Sequence, residues 1–195
     1  DSLVYGQTAV NVTNGEIQGV IGGGFAQGER AEMDPDATVH GSTEINISGG
    51  TITEVFGGGY VSGYGTADVN GDVSIHLSGG NIDRIVAGGY TENESASAVV
   101  TGNAVVVFEK DFGFDGTVSG EGVNGTSTLQ FGTGESSYEG SFGGTFSNFD
   151  VLSIANGSTL QLETLSNENI GSALTVDGAG LLKIKALSHE AGTLT

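Results

Sequence analysis

Three stretches of this chain can be laid over one another: TAVNVTNGEIQGVIGGGF from Thr8, STEINISGGTITEVFGGGY from Ser42 and DVSIHLSGGNIDRIVAGGY from Asp72. Ile17, Ile52 and Ile82 correspond, at spacings of 35 and 30. So do Val20, Val55 and Ile85, and so do Phe25, Tyr60 and Tyr90. The run Gly22-Gly23-Gly24 recurs as Gly57-Gly58-Gly59 and as Ala87-Gly88-Gly89, and Gly41, Gly71 and Gly102 close each unit. One such unit holds a few apolar residues and cannot bury them alone. Stacked units form a continuous core, with backbone hydrogen bonds running from each unit to the next.

The clearest strand in each unit is an apolar-x-apolar triplet. It runs through Val10/Val12, Ile45/Ile47, Ile75/Leu77, Val105/Val107, Leu129/Phe131, Leu160/Leu162 and Leu182/Ile184, at spacings of 35, 30, 30, 24, 31 and 22. Side chains alternate faces along a strand, so each pair points inward and the residue between them points out. Those middle residues are Asn11, Asn46, His76, Val106, Gln130, Gln161 and Lys183, polar except for Val106. The expectation is an all-β, parallel β-helix of about seven rungs. At about 4.8 Å per rung it makes a rod roughly 30 Å long. Residues 1–195 form one domain, with regular repeats over 8–108 and less regular rungs over 109–195. Ile52 and Val55 are three apart, which predicts a corner or bulge between them. An antiparallel β-sandwich would also give many short strands, but it would not explain equivalent residues at near-fixed spacing.

Composition agrees. Glycine supplies 36 of 195 residues and proline one, which suits tight corners and excludes collagen. Apolar residues reach 36% in short pieces, none long enough to span a membrane as a helix. Net charge is −19, with five Lys plus Arg. A field of that sign repels nucleic acid and anionic membrane surfaces, and it favours cations and solubility. Cysteine is lacking, and a long stacked core does not need disulfides.

Units such as ISGGTITEVFGGGY resemble the Gly-rich β-helical repeats of bacterial surface proteins. The later stretch GSFGGTFSNFDVLSIANGSTLQLETL is similar to autotransporter passenger domains, in which a Phe-Asp-x-Leu strand is followed by Asn-Gly-Ser and an alternating strand. The resemblance covers most of the chain. It implies an exported right-handed β-helix displayed outside the cell, often in adhesion or aggregation, and it supplies no catalytic residues. Autotransporters end in a membrane barrel, whereas this sequence stops at Thr195. The expectation is therefore a mature passenger fragment or a free secreted relative, with no membrane insertion of its own.

Phe25, Tyr60 and Tyr90 should stack on successive rungs, either to stabilise the solenoid or as a strip that packs on sugar or protein. The segment Ala26–His40 is longer than its counterparts by five residues and carries Glu29, Arg30, Glu32, Asp34 and Asp36. It is read as a solvated acidic loop or a projecting binding loop. Asp68, Asn70 and Asp72 around Gly71, and Asp111 and Asp115 around Gly113, offer oxygen ligands of the kind calcium takes, although Asp and Asn favour turns in any case. No other cofactor is implied. Asn-x-Ser/Thr sequons begin at Asn11, Asn46, Asn93, Asn124 and Asn156, the first two within strands.

Catalysis is not expected. Arg30, Arg84 and Lys110 are isolated, and His40, His76 and His189 are scattered, with His76 read as a solvated outward residue. Glu54 and Arg84 align between rungs as a cross-strand ion pair. The chain has no Gly-x-Ser-x-Gly elbow, zinc-ligand spacing or phosphate loop. The expected role is an extracellular adhesive or structural module. Its partners would be other copies of itself, or a host or cell-surface protein or glycan. One alternative is a subunit joined head to tail in a filament through bare strand edges, with Asp1–Gly6 as a donated segment. Another is a glycan-processing enzyme.

Overall fold

The alternation of apolar and polar residues in stretches such as Thr-Glu-Ile-Asn-Ile becomes strand in the computed structural model, which describes residues 3–30, 35–166, 169, 173–188 and 193–194. The first repeat gives β1 (Thr8–Val12), β2 (Glu16–Ile21) and β3 (Phe25–Gly28). The second gives β4 (Thr43–Phe56) and β5 (Tyr60–Gly63), and the third gives β6 (Val73–Val86) and β7 (Tyr90–Thr91). Shorter strands follow: β8 (Ala104–Phe108), β9 (Thr117–Ser119), β10 (Ser127–Phe131), β11 (Glu139–Ser141), β12 (Thr145–Ser147) and β13 (Val151–Ile154). The last are β14 (Thr159–Ser166), β15 (Ala173–Asp177), β16 (Leu181–Ser188) and β17 (Thr193–Leu194).

The principal ladder runs β1-β4-β6-β8-β10-β13-β15-β17, and β2 and β9 join its sides, with β12 on β9. Two smaller sheets are β3-β5-β7 and β11-β14-β16. Every pairing between these strands is parallel. Val4, Val39, Val69, Val100 and Val123 add a further column of single parallel bridges. The chain is therefore all-β and predominantly parallel. The antiparallel sandwich is excluded. The repeat alignment holds residue by residue: Ile17 pairs with Ile52 and Ile52 with Ile82, and Val20 pairs with Val55 and Val55 with Ile85.

Three details differ from the sequence reading. Ile75 pairs with Val106 and Leu77 with Phe108, so the inward pair on β8 is Val106/Phe108, and Val105 and Val107 face outward. Ala-Val-Val-Val-Phe carries no polar marker of parity. The ring of Phe108 decides it, stacking on Phe131 in the core at 5.4 Å between centroids, and a one-residue slip exchanges the two faces. Next, Leu129 and Phe131 pair with Leu152 and Ile154 on β13, not with Leu160 and Leu162. Leu160/Leu162 and Leu182/Ile184 pair with each other in a separate sheet. Finally, register breaks between Ile47 and Thr51, while Ile52↔Ile82 and Val55↔Ile85 stay in step. The bend falls at Gly50, whose φ of 99° is open to glycine and strained for other residues.

One buried cluster extends from Val12 to Leu174. A smaller one holds Ala26, Ala37, Val61, Ala67 and Ala98. It is closed by Gly59, where a Cβ would run into the Ala67 backbone carbonyl. The glycines that close each unit stack as Gly6, Gly41, Gly71, Gly102 and Gly125. The next position of each unit links the rungs: Asp72 N–H donates to Ser42 Oγ (3.2 Å), Asn103 N–H to Asp72 Oδ1 (2.8 Å) and Thr126 N–H to Asn103 Oδ1 (2.9 Å).

Candidate functional site

Strand alternation sorts the β3-β5-β7 sheet. Ala26 and Val61 point into the small alanine cluster, which leaves Phe25, Tyr60 and Tyr90 on the outer side in direct register. The rings stack, with centroids 5.7 Å apart at 6° for Phe25–Tyr60 and 5.9 Å apart at 23° for Tyr60–Tyr90. Phe56 is buried beneath them, 5.1 Å from Tyr60 and 5.5 Å from Tyr90. The Arg84 guanidinium lies 4.6 Å from the Tyr90 ring and holds Glu54 at 3.0 Å. Stacking occupies the faces between successive rings, so Phe25, 51% exposed, is the ring that offers most surface to a ligand. A shallow groove beside it is lined by Gln18, Phe25, Glu54, Phe56 and Tyr60.

Electrostatics tighten the ladder edge. Tyr60 O–H donates to Glu92 Oε1 at 2.5 Å, and Ser62 Oγ donates to Glu92 Oε2 at 2.8 Å. The bond to the Glu92 carboxylate, with burial adding to it, pushes the Tyr60 phenol from 10.0 up to about 12. The same two donors hold the Glu92 carboxyl below its ordinary value. Past Arg84 the outer face continues into a cleft lined by Thr117, Ser119, Glu121, Thr145 and Ser147.

The acidic segment divides. Glu29 and Arg30 are exposed, while Glu32 and Asp34 lie outside the described residues. Asp36 belongs to the stack and not to a projecting loop. It bridges Thr66 in parallel, and its Oδ1 accepts from Thr38 N–H (2.9 Å) and Thr38 Oγ1 (2.5 Å).

The calcium candidates are likewise spread over hydrogen bonds. Asp68 Oδ1 accepts from Ser97 Oγ (2.7 Å) and Val99 N–H (2.8 Å), and Asp72 pins Asn103 one rung on. Asn70 meets His40 Nδ1 through its Nδ2 (2.9 Å), Asp111 accepts from Gly113 N–H (3.0 Å), and Asp115 is exposed. Among the described residues no three His, Cys, Asp or Glu converge as a metal set. Asn46 donates to Asn11 Oδ1 (3.1 Å) and Glu44 Oε1 (2.9 Å), which occupies two of the sequon asparagines.

One constellation escaped the sequence reading. His76 is not merely solvated. Its Nε2 lies 2.9 Å from Ser74 Oγ and its Nδ1 lies 3.4 Å from Glu109 Oε1. Ser74 and His76 share a face by the two-residue spacing, which was legible. Glu109 joins them from the next rung, which required the corrected register of β8. His189 lies outside the described residues. Comparison of the chain with protein-family models, curated proteins and solved structures returned no match.

Proposed function

We propose that the chain is a single right-handed β-helix displayed outside a bacterial cell, acting as a stiff adhesive module through its outer faces. The observation that carries this reading is the principal ladder of eight parallel strands, in which the inward aliphatic residues of successive repeats stack, as Ile45 on Ile75 and Ile52 on Ile82. One buried cluster reaching from Val12 to Leu174 supports a single domain. The right hand follows from the strong preference of parallel crossovers. A rod of this kind has little interior to offer a ligand, so recognition falls to the surface. The aromatic ladder with Arg84 and the hydroxyl-lined cleft beyond it form one strip along the axis, suited to an uncharged glycan or protein surface. The chain's net charge of −19 disfavours polyanions.

Immobilised protein, presented to neutral glycans and to cultured cell surfaces, tests this. Retention that falls when Phe25→Ser and Arg84→Gln are combined supports adhesion through the strip. Lack of retention on every surface removes adhesion.

A second reading, a subunit joined end to end in a filament, is favoured by the distribution of exposed apolar side chains. They gather on the first coil (Leu3, Val4, Tyr5 and Phe25) and on β16 (Leu181, Ile184 and Leu187). Negative-stain electron microscopy over a concentration series separates the two. Fibres of uniform width support the filament, and single short rods support the display module.

A further inference from the structure

We propose that Ser74, His76 and Glu109 form an acyl-transfer site that hydrolyses carboxylic esters with a short, uncharged apolar acyl group. Ser74 is the nucleophile, His76 the general base and Glu109 the residue that positions the imidazole. The site does not depend on the display reading and goes beyond it.

The geometry divides the two ring nitrogens between different partners. Glu109 Oε1, 3.4 Å from Nδ1, favours the tautomer with its hydrogen on that nitrogen, which would free the Nε2 lone pair for the serine hydroxyl at 2.9 Å. Serine–histidine–acid catalysts are defined by this assignment of roles and not by chain order. The framework holding the groups is rigid. Val73–Leu77 pairs in register with Ala104–Phe108, and Glu109 N–H donates to Leu77 O at 2.9 Å, which fixes the Glu109 backbone beside His76. Sites built on strands hold such geometry better than sites on loops.

An independent feature points to an apolar substrate group. Along the outward column, Asn11, Asn46 and His76 lead to Val107 and then to Gln130 and Ser153. The register partners of Ser74 and His76 are Val105 and Val107; Val107 is covered, and half-buried Val105 is the one that offers an apolar surface beside Ser74. The column thus turns apolar beside the serine and the histidine. A shallow depression there is lined by Asp72, Ser74, Asn103, Val105, Thr126 and Thr128, and the Asp72 carboxylate disfavours an anionic acyl group. Asn103, whose Oδ1 accepts from Thr126 N–H, lies on this rim and is assigned the role of amide donor to the developing oxyanion.

The reaction balances without a cofactor. Ser74 Oγ attacks the ester carbonyl carbon as its proton passes to His76 Nε2. The carbon–oxygen bond to the alcohol breaks, and the imidazolium returns the proton to the departing oxygen. Water, activated by the same base, then cleaves the Ser74 ester and releases the carboxylic acid.

The test treats the full chain with a fluorophosphonate probe and, separately, with 4-nitrophenyl butyrate. The expected results are an adduct mapped to Ser74 and turnover above that of free imidazole at equal concentration. Ser74→Ala and His76→Gln should each remove the adduct and lower kcat/KM by about a thousandfold. Glu109→Gln should lower kcat by about tenfold or more with KM unchanged, with partial recovery in Glu109→Asp, as a positioning role requires. All of these side chains lie on the outer face, and unchanged circular dichroism verifies the fold. No adduct at Ser74, turnover no faster than imidazole, or a fully active Ser74→Ala would each overturn the proposal.

Discussion

The first three repeats and the strands from β8 onward solve the same packing problem in opposite ways. In the first, the interior is aliphatic (Ile45, Ile47, Ile52, Ile75, Leu77, Ile82) and the aromatic rings stack outside. In the second, the rings are inside: Phe108, Phe114, Phe131, Phe142 and Phe146 meet in stacked and edge-on pairs 5.0–6.4 Å apart. The step along the principal ladder shortens with the change. From Leu77 to Phe108 it is 31 residues, and from Phe108 to Phe131 and Phe131 to Ile154 it is 23. The early repeats carry the β3-β5-β7 sheet, which closes against Ala37, Ala67 and Ala98 at glycine corners. From β8 onward phenylalanine fills the principal buried cluster instead. The shorter step along the ladder thus goes with larger core side chains.

The largest test exchanges a ring inside for a ring outside. Phe131→Ala removes a fully buried ring that touches Phe108, Tyr138 and Phe142, and should cost about 3–5 kcal/mol. Tyr60→Ala, on the outer ladder, should cost about 1 kcal/mol. Thermal melts should rank them, with about 2–4 °C lost per kcal/mol for a chain of this size. Equal losses would mean that the outer ladder is core in all but position. Next comes a pair of glycines. Gly59→Ala drives a Cβ into the Ala67 backbone and should cost about 1–3 kcal/mol, whereas Gly134→Ala meets open space and should stay within about 0.5 kcal/mol. A tolerant Gly59 would mean that the corner is looser than its close approach implies. Smaller again is Asp72→Ala, which leaves the Asn103 N–H without its carboxylate and should cost about 1 kcal/mol. Backbone exchange at Asn103, faster in the variant than in the parent, is the local readout.

The same contrast explains what the sequence could reveal. The first three repeats align because glycine corners and rings mark each unit. The strand of β8 was legible but its parity was not, since five apolar residues in a row satisfy either face. Alternation at Leu160 and Leu162 identified a strand, yet nothing local says which sheet a strand joins once the repeat length changes. Stacking of Phe25, Tyr60 and Tyr90 followed from register alone. The roles of Asp68 and Asp72 did not, because linking one strand to the next depends on which residue sits one repeat away. Glu109 was hidden from His76 for the same reason.

Tyrosine titration gives the finest comparison of outside with inside. On the outer ladder, Tyr60 is raised to about 12 first by its bond to Glu92 and then by burial. In the later core, Tyr138 is raised first by burial and then by the charge of Asp111. A raised folded value means that the Tyr60 contribution to stability is complete below about pH 10 and fades as pH climbs from 10 to about 12. The lowered Glu92 contributes above its ordinary value and fades as pH falls through its depressed one. Glu92→Gln removes the carboxylate and leaves burial in place, so ultraviolet titration should show the Tyr60 midpoint fall toward 10 while Tyr138 remains high. Tyr60→Phe assigns the moving transition. A Tyr60 midpoint unmoved by Glu92→Gln would show that desolvation governs both rings, and the outer ladder would then be an extension of the aromatic core in its electrostatics as well as its geometry.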